Sequence, residues 1–355
     1  RMNEDGTWGN GSGCGNETAS ERAMMRRFMV ESIKYWVEEY HMDGFRFDLM
    51  GIHDIETMNQ IRAAVDAIDP TISIHGEGWA AGGCGIPEEL RAVKNNAQQF
   101  APVGVFSDDK WTDGNKGGFV SGRGLDESIK FGVVGATAHP QIDLTQVAHT
   151  NVAYATSPAQ VINYMSCHDD PCVVDKLKAI HPEATIEEII RMDLLGQTIV
   201  FTAQGVPFIY AGEELLRDKK GVHNTYQSPD SINQIDWTNK VKYAEVYDYY
   251  RNLIALRKAH PAFRMSDAEQ VTQAINFVET PANVVAYTLD GTLASDSWNH
   301  IFVIYNGNTT DIEIELPEGA WTATCYDAKI NENGLGNFSG KIKVPYTSAV
   351  VLYRK

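Results

Sequence analysis

Residues 43–51 read DGFRFDLMG and residues 72–79 read ISIHGEGW, and these two stretches decide the fold class. Each contains a short apolar run of strand length that ends beside an acidic residue. Between them, apolar side chains recur at three- and four-residue steps from Ile55 to Ile68, which predicts a helix that Asp69-Pro70 ends. The local unit is therefore a strand, a helix and a second strand.

The same alternation extends in both directions from this unit. Upstream, Thr18 to Glu21 has the spacing of a capping box, and the apolar steps from Met25 to Tyr40 predict a helix. Downstream, we predict three further strands, a long helix that begins at a capping box and a closing helix. The strands are predicted at residues 103–106, 161–166 and 207–211. The long helix begins with residues 185–194, and the closing helix covers residues 246–256.

Strands that alternate with helices indicate an α/β protein with a parallel sheet covered by helices, and a (β/α)8 TIM barrel is the common closed form. The chain supplies about five strand–helix units, whereas a barrel has eight. Five open parallel strands would expose two edges to unwanted pairing. We therefore expect residues 1–264 to form a partial (β/α)8 barrel whose first three strands lie upstream of Arg1.

After about Met265 apolar and polar residues alternate, as in residues 301–305, 311–316 and 341–344. Asn306-Gly307 lies between the first two of these runs and is a hairpin turn signal. We predict a separate antiparallel β-sandwich domain over residues 265–355.

The composition narrows the classes of partner. Thirty Lys and Arg against forty-seven Asp and Glu give a net charge of −17, which repels nucleic acid and anionic membrane surfaces. A neutral sugar is compatible with this charge, although an acidic surface also simply keeps proteins dispersed. The five cysteines show no close CxxC pair and are interpreted as unpaired thiols, which leaves the cellular compartment open.

Arg46 and Asp48 are the first candidate functional pair. Alternation along a strand puts them on one face and the two neighbouring phenylalanines on the other. A guanidinium beside a carboxylate favours the ionised acid, as a nucleophile requires. The alternative is a structural ion pair at a strand end.

Glu77 ends the next strand between Gly76 and Gly78, beside the indole of Trp79. We expect this apolar setting to keep the acid protonated. One charged and one neutral carboxylate, about 5–5.5 Å apart, are what a retaining glycoside hydrolase uses. The alternative for Glu77 is an ordinary turn residue.

A third polar set, Cys167-His168-Asp169-Asp170, closes the predicted strand at 161–166. His168 lacks a second histidine at ligand spacing, so we predict no metal site there and expect it to bind sugar hydroxyls. Acidic groups at the carboxyl ends of several strands are where barrel enzymes place their active sites.

At this point the motifs resemble a known family. DGFRFDLMG, HGEGW and YMSCHDD are similar, in order, to three of the four signature regions of the α-amylase superfamily, and within it to the type I pullulanase (debranching) group. The resemblance continues through residues 205–237 and more weakly beyond. It implies that Asp48 is the nucleophile, Glu77 the general acid/base and Asp169 the transition-state stabiliser, supported by Arg46 and His168.

The resemblance to pullulanases in particular depends on Gly78-Trp79 and on residues 223–237. It implies glucan contacts at Asn224, Tyr226 and Asp230, although this stretch could also be a structural loop. Trp79 and Trp111 are candidate stacking platforms for sugar faces, and Trp111 could equally anchor a loop.

Two features depart from the family pattern. The signature region of the third barrel strand and the Tyr/Asn/Trp/Gly motif of pullulanases are absent, and we place both upstream of Arg1. Asp170 stands where many members carry Asn, which adds charge beside Asp169 and puts the substrate preference in doubt.

We therefore predict a retaining glycoside hydrolase that cleaves α-1,6 branch linkages in pullulan, starch or glycogen dextrins. Its partners would be the α-glucan substrate and the upstream half of the same polypeptide. No organic cofactor is required, and the resemblance is compatible with a structural calcium ion. The alternatives are an α-1,4-glucan hydrolase of the same superfamily and an inactive glucan-binding scaffold.

Overall fold

The computed structural model describes residues 1–79, 82–100, 102–107 and 114–355, and the chain divides into two compact units. Unit 1 contains Arg1–Ser107 and Val152–Ile162, and unit 2 contains Asp108–Asn151 and Asn163–Lys355. Trp111 lies outside the described residues. The domain boundary predicted after residue 264 stays a prediction.

Unit 1 is built on parallel strands with two helices. Its strands are β1 (Gly44–Phe47), β2 (Ser73–Gly76), β3 (Gly104–Phe106) and the first two residues of β4 (Val161–Asn163), and its helices are α1 (Ala23–Tyr40) and α2 (Ile55–Asp66). Each strand pairs in parallel with the next, through Phe45 with Ile74, His75 with Gly104 and Val105 with Val161. The strand–helix–strand unit expected from the sequence is confirmed.

The start of α2 is held by Asp54, whose Oδ1 accepts a hydrogen bond from the Thr57 N–H at 2.9 Å. The same carboxylate accepts from Ser20 Oγ at 2.7 Å and from Arg26 Nη2 at 2.8 Å. Asp54 is therefore both a helix cap and the link that ties the chain before α1 to α2.

The capping box predicted from Thr18 to Glu21 is wrong. Helix α1 begins at Ala23, and its N-cap Arg22 makes no side-chain cap. Glu21 Oε1 instead accepts from Arg1 Nη1 at 2.7 Å. The Arg1 guanidinium binds the Glu21 side chain that the capping box would have used. The local sequence pattern therefore does not determine where the helix begins.

Unit 2 contains the last residue of β4 and one further strand of the five-stranded sheet. The carbonyl of Asn163, the last residue of β4, accepts from the Phe208 N–H at 2.8 Å, directly after β5 (Val206–Pro207). The strand order is therefore β1-β2-β3-β4-β5, which confirms five parallel strands, all shorter than predicted.

The described part of unit 2 contains eight α-helices. They are α3 (Gly114–Val120), α4 (Asp126–Val133), α5 (Val173–Ile180), α6 (Ile186–Thr202), α7 (Asp230–Asn233), α8 (Asn239–Lys242), α9 (Ala244–Ala259) and α10 (Ala268–Ala274). The predicted capping box at the start of α6 is confirmed, because Thr185 and Glu188 bond reciprocally. Most of α6 is buried, and it contributes to a large apolar core together with α9.

The antiparallel region predicted near the C-terminus is present. Its strands are β6 (Ile275–Val278), β7 (Val284–Asp290), β8 (His300–Asn306), β9 (Ile312–Glu315), β10 (Trp321–Tyr326), β11 (Lys329–Ile330), β12 (Asn337–Phe338), β13 (Lys341–Val344) and β14 (Ser348–Arg354). Seven of them form a sheet of order β11-β10-β14-β8-β7-β6, in which β12 pairs with β10, and β13 pairs with β9 in a second sheet.

The hairpin predicted at Asn306-Gly307 is wrong. Strand β8 pairs with β7 and β14, whereas β9 pairs with β13, so the chain changes sheets after Asn306. The buried Asn306 amide donates to the carbonyls of Thr310 and Pro345 at 3.1 and 3.0 Å. These bonds stabilise a crossover instead of a tight reversal.

All five cysteines are free thiols, three of them buried. Across the part of the chain that the structure describes, no helix has the length and apolar character to cross a membrane.

Candidate active site

The ends of β1 and β2 are joined by backbone hydrogen bonds. The Glu77 N–H donates to the Phe47 carbonyl at 3.1 Å, and the Gly51 N–H donates to the Glu77 carbonyl at 2.9 Å. Between them, Leu49 has φ +49°, so the chain turns sharply after Asp48. This turn places Asp48 and Glu77 at neighbouring strand ends.

The close approach of these two segments requires a glycine at residue 51. A Cβ on Gly51 would lie 1.8 Å from the carbonyl oxygen of Trp79. Since real Cβ atoms do not come that close, any side chain here would displace the segment that carries Glu77 and Trp79.

Arg46 joins the two predicted catalytic acids of unit 1. Its Nη1 contacts Asp48 Oδ1, and its Nη2 lies 2.7 Å from Glu77 Oε1. One guanidinium therefore binds both carboxylates, and the predicted placement of Arg46 and Asp48 on the same side of the strand agrees with their contact.

The two acids differ in exposure. Glu77 is 2% exposed, whereas the Asp48 side chain is 61% exposed. The second Glu77 oxygen, Oε2, accepts from the Leu49 N–H at 2.9 Å. Glu77 thus has polar partners in place of the purely apolar setting that the sequence predicted, because Arg46 and the turn after β1 reach it.

His75 and Phe106 flank this set in unit 1. Burial, and then the nearby Arg46 charge, lowers the pKa of His75, which favours its neutral form. The Arg46 guanidinium also lies over the Phe106 ring at 6.0 Å. Arg46 is therefore the cation that faces the two acids.

Trp79 contacts a cation that sequence reasoning missed. Lys94 Nζ lies 5.4 Å from the Trp79 ring and 5.7 Å from the Tyr154 ring, and the lysine is buried. The Lys94 N–H also donates to the Gly78 carbonyl at 2.8 Å. The position of Trp79 is thus held from one side, and its role as a stacking platform stays a prediction.

In unit 2 the residues after β4 form two acid–histidine pairs. His168 Nε2 lies 3.6 Å from Asp169 Oδ1, and His223 Nε2 lies 3.2 Å from Asp170 Oδ1. Asp170 has φ +60°, a left-handed conformation. The residue that departs from the family pattern therefore has its own partner, His223, on the predicted glucan-contact stretch.

The stretch that carries Asn224, Tyr226 and Asp230 has a fixed base and an exposed tip. Lys219 Nζ donates to Thr225 Oγ1, and Asn233 Nδ2 to the Thr225 carbonyl, each at 2.8 Å. The three predicted contact residues are all exposed, Tyr226 by 79%. An exposed aromatic ring on an anchored loop is available to a ligand.

The structural calcium ion that the resemblance allows would meet a positive charge at Asp48 and Glu77. Asp48 and Glu77 already share the positive charge of Arg46. A second cation would be repelled by that guanidinium. The calcium ion stays a prediction without assigned residues.

Sequence reasoning also missed Glu213, which is buried and accepts from Ser166 Oγ at 2.5 Å. The only local signal is its place directly after the strand-like run 207–211, at the end where the other acids occur. Its partner lies 47 residues away and could not be read from this pattern.

Comparison with known proteins agrees with these motifs. A pullulanase of Bacillus subtilis strain 168 is 36% identical over 326 residues, which cover 89% of this chain and 44% of that protein. This chain matches a pullulanase-type C-terminal portion. It spans less than half the length of that relative.

The solved structures extend the match to the fold. A pullulanase from Paenibacillus barengoltzii, solved with maltohexaose and α-cyclodextrin, is 38% identical with a TM-score of 0.88, over 99% of this chain and 54% of that one. A type I pullulanase from B. subtilis strain 168, solved with maltose, is 33% identical with a TM-score of 0.90, over 99% and 49%. The model of the pullulanase all-beta domain matches residues 271–329 of this pullulanase-type chain.

Proposed function

We propose that this chain carries the catalytic carboxylates of a retaining glycoside hydrolase that cleaves α-1,6 linkages in pullulan and related α-glucans. The observation that supports it most is the guanidinium of Arg46, which contacts both Asp48 and Glu77. Two acids within reach of one side chain suit the spacing of about 5–5.5 Å in retaining enzymes, since inverting enzymes need a wider gap for water.

The unequal exposure of the two acids supports their separate roles. Asp48, the exposed one, would attack the anomeric carbon, and a covalent glycosyl–enzyme bond would form as the glycosidic bond breaks. Glu77 would give its proton to the departing oxygen and then take one from the water that releases the sugar. Asp169 would stabilise the transition state, as the family resemblance implies.

The linkage preference is supported by the relatives. Pullulanases at 36–38% identity match this chain, and more distant matches include an isoamylase of Flavobacterium at 26% and pullulanases of Klebsiella at 24–25%. Structures of such pullulanases were solved with maltose and maltohexaose, which are α-glucan oligosaccharides. An α-1,4-specific hydrolase is the second candidate.

Product analysis on pullulan separates the two linkages. The full-length enzyme should release maltotriose, whereas panose would indicate cleavage of α-1,4 bonds. NMR of the first product should show the α anomer, because two displacements retain configuration. A β anomer would contradict the covalent mechanism.

Substitution of the acids tests the enzyme assignment itself. Glu77→Gln should lower kcat by about 10²–10⁴-fold, the usual contribution of a general acid/base. Asp48→Asn and Asp169→Asn should abolish measurable turnover, while the exposed control Asp69→Asn keeps it. An Asp48→Asn enzyme as active as the parent would contradict the assigned mechanism, whereas a parent without turnover would favour the third candidate, a glucan-binding scaffold.

We further propose that residues 1–264 complete a (β/α)8 barrel together with an upstream part of the polypeptide. Two features support this proposal. In the described part of the chain β1 pairs with β2 alone, and α1 exposes large apolar side chains, among them Met24 and Phe28. Such exposure is unusual for a surface helix and suits a covered face.

Expression of residues 1–355 with and without the upstream portion tests this assembly. Activity should require both parts, and Phe28→Asp should weaken their association more than the control Arg22→Asp on the same helix end. A monodisperse and active chain of these 355 residues alone would contradict the barrel proposal.

A further inference from the structure

Two carboxylic acids that interact with each other are buried in unit 2. Glu213 follows β5 and is 2% exposed, and Asp193 in the middle of α6 is 1% exposed. Buried acids are rare unless they are paired or serve a purpose.

The partners of both acids are neutral donors. Glu213 Oε1 accepts from Ser166 Oγ at 2.5 Å, and Oε2 accepts from Gln197 Nε2 at 3.1 Å and the Tyr210 N–H at 3.2 Å. Both oxygens of Asp193 lie 3.0 Å from the Tyr250 hydroxyl. These donors favour the ionised acids, but they are neutral and offset only part of the cost of burying a negative charge.

The titratable groups around this pair include acids, phenols and a thiol. Besides burial, Asp193 raises the pKa of Glu213, and the interacting groups also include the phenols of Tyr249 and Tyr250, the Glu214 carboxyl group and the Cys325 thiol. Burial above all raises the pKa of Glu213 to about 8 and that of Asp193 to about 7. Both acids therefore hold protons at mildly acidic pH and lose them as the solution becomes alkaline.

Ser166 connects this pair to the predicted active site. It is buried and precedes His168 and Asp169 by two and three residues. Beyond it, Asp170 takes a left-handed conformation, so the chain turns directly after the two candidate residues. The Ser166–Glu213 hydrogen bond is thus a buried anchor for a segment with an irregular backbone.

We propose that Glu213, in its protonated form, is a positioning residue that holds the Ser166–Asp169 segment in place, and that Asp193 keeps it protonated. This inference rests on the proposed role of Asp169. When Glu213 ionises, a buried anion faces Asp193, and its hydrogen-bond partners among the described residues include no cation. Relief of that repulsion loosens the anchor, and Asp169 loses its fixed position.

The test compares Glu213→Gln, Glu213→Ala and Ser166→Ala in the full-length enzyme, with Glu214→Gln as the adjacent acidic control. Glutamine keeps the shape of the protonated acid and cannot ionise. At pH 6 the Gln variant should keep kcat within about threefold of the parent, whereas the Ala variants should lower kcat at least tenfold with a smaller change in KM. At pH 9 the Gln variant should retain a larger fraction of its pH 6 kcat than the parent and the Glu214→Gln enzyme do.

Hydrogen exchange of the backbone amides of residues 164–170, corrected for intrinsic rates, measures directly how firmly this segment is held. Protection in the parent should fall about tenfold between pH 6 and pH 9, stay constant in Glu213→Gln and be low at both pH values in Ser166→Ala. Parent-like protection and kcat in Glu213→Ala, or the same pH dependence in Glu213→Gln as in the parent, would overturn the inference. If the parent does not cleave pullulan, the proposed function fails, and the exchange pattern still decides whether Glu213 is the anchor.

Discussion

Nη2 of Arg46 lies 2.7 Å from Oε1 of Glu77, and this ion pair ties the end of β1 to the end of β2. The same guanidinium contacts Asp48 through Nη1. The two predicted catalytic acids are thus oriented by one side chain, whose planar fork suits two carboxylates at once.

Loss of this fork should impair the enzyme. Arg46→Ala leaves Glu77 buried without its cation, and we expect kcat/KM on pullulan to fall at least about 100-fold, or about 2.7 kcal/mol of transition-state stabilisation. Arg46→Lys should be intermediate, because a single ammonium cannot bind both acids in the same way. Steady-state kinetics measure the effect, with the 78%-exposed side chain of Arg22 replaced by Ala as control. A Lys variant as active as the parent would mean that the fork geometry is unimportant.

A methyl group at residue 51 should disturb the segment that bears Glu77. Because a Cβ there meets the Trp79 carbonyl at 1.8 Å, Gly51→Ala should destabilise the protein by about 1–3 kcal/mol and reduce kcat. Calorimetry and pullulan kinetics report the two effects. The matched control is Gly132→Ala in α4, where a Cβ meets nothing within 4 Å and helix propensity should add about 0.5–1 kcal/mol. Identical melting temperatures for the two variants would contradict the steric argument.

Asp193→Asn should change how stability depends on pH. Burial raises the pKa of Asp193 to about 7, so the folded state binds a proton that the unfolded state releases near pH 4. The stability linked to this proton is complete below about pH 4 and is lost as the pH rises to about 7. Asn has no proton to lose, so the Tm of the variant should rise relative to that of the parent as the pH increases. At pH 8 this relative increase in Tm should be at least about 2–4 °C. A constant Tm difference from pH 5 to pH 8 would rule out this linkage.

The buried pair of His260 and Asp296 should have the opposite pH dependence. Burial opposes ionisation of Asp296, but hydrogen bonds from His260 Nδ1 at 2.7 Å and from the Trp298 and Ala262 amides outweigh it and hold its pKa below the usual value. Its stabilisation is present above about pH 4 and disappears as the pH falls through the lowered pKa.

Asp296→Asn should therefore lower stability at pH 7 by about 1–3 kcal/mol and lower it less at pH 3. Calorimetry at the two pH values checks this, with the exposed Asp248→Asn in α9 as control. A loss that does not shrink at acidic pH would show that packing, not ionisation, explains it.

Tyr226 offers a test of the predicted glucan contacts. Because its side chain is 79% exposed, Tyr226→Ala should leave Tm unchanged and raise KM for pullulan about tenfold, the loss of about 1.4 kcal/mol of stacking. Val241→Ala is the control, since Val241 is 85% exposed and has no predicted contact. An unchanged KM would indicate that residues 223–237 form a structural loop, the alternative that the sequence also allowed.

Features that depend on local periodicity can be predicted from the amino-acid sequence alone. The alternation of strand and helix around DGFRFDLMG, the five parallel strands, the shared side of Arg46 and Asp48 and the capping box at Thr185 all follow from spacings of a few residues. The motifs also led to the pullulanase-type relatives. Side-chain direction and capping are properties of the nearest neighbours along the chain, so a linear pattern contains them.

Contacts between residues far apart in sequence could not be predicted in this way and are seen in the folded chain. Arg46 on β1 contacts Glu77 at the end of the neighbouring strand β2. Arg1 donates to Glu21, which was predicted to belong to a capping box. The Asn306 amide donates to the Pro345 carbonyl at a crossover where a hairpin was predicted. The burial of Glu213 against Ser166 and Asp193 belongs to the same class. Burial and charge pairing depend on which distant segments pack together, and that choice is made by the whole folded core.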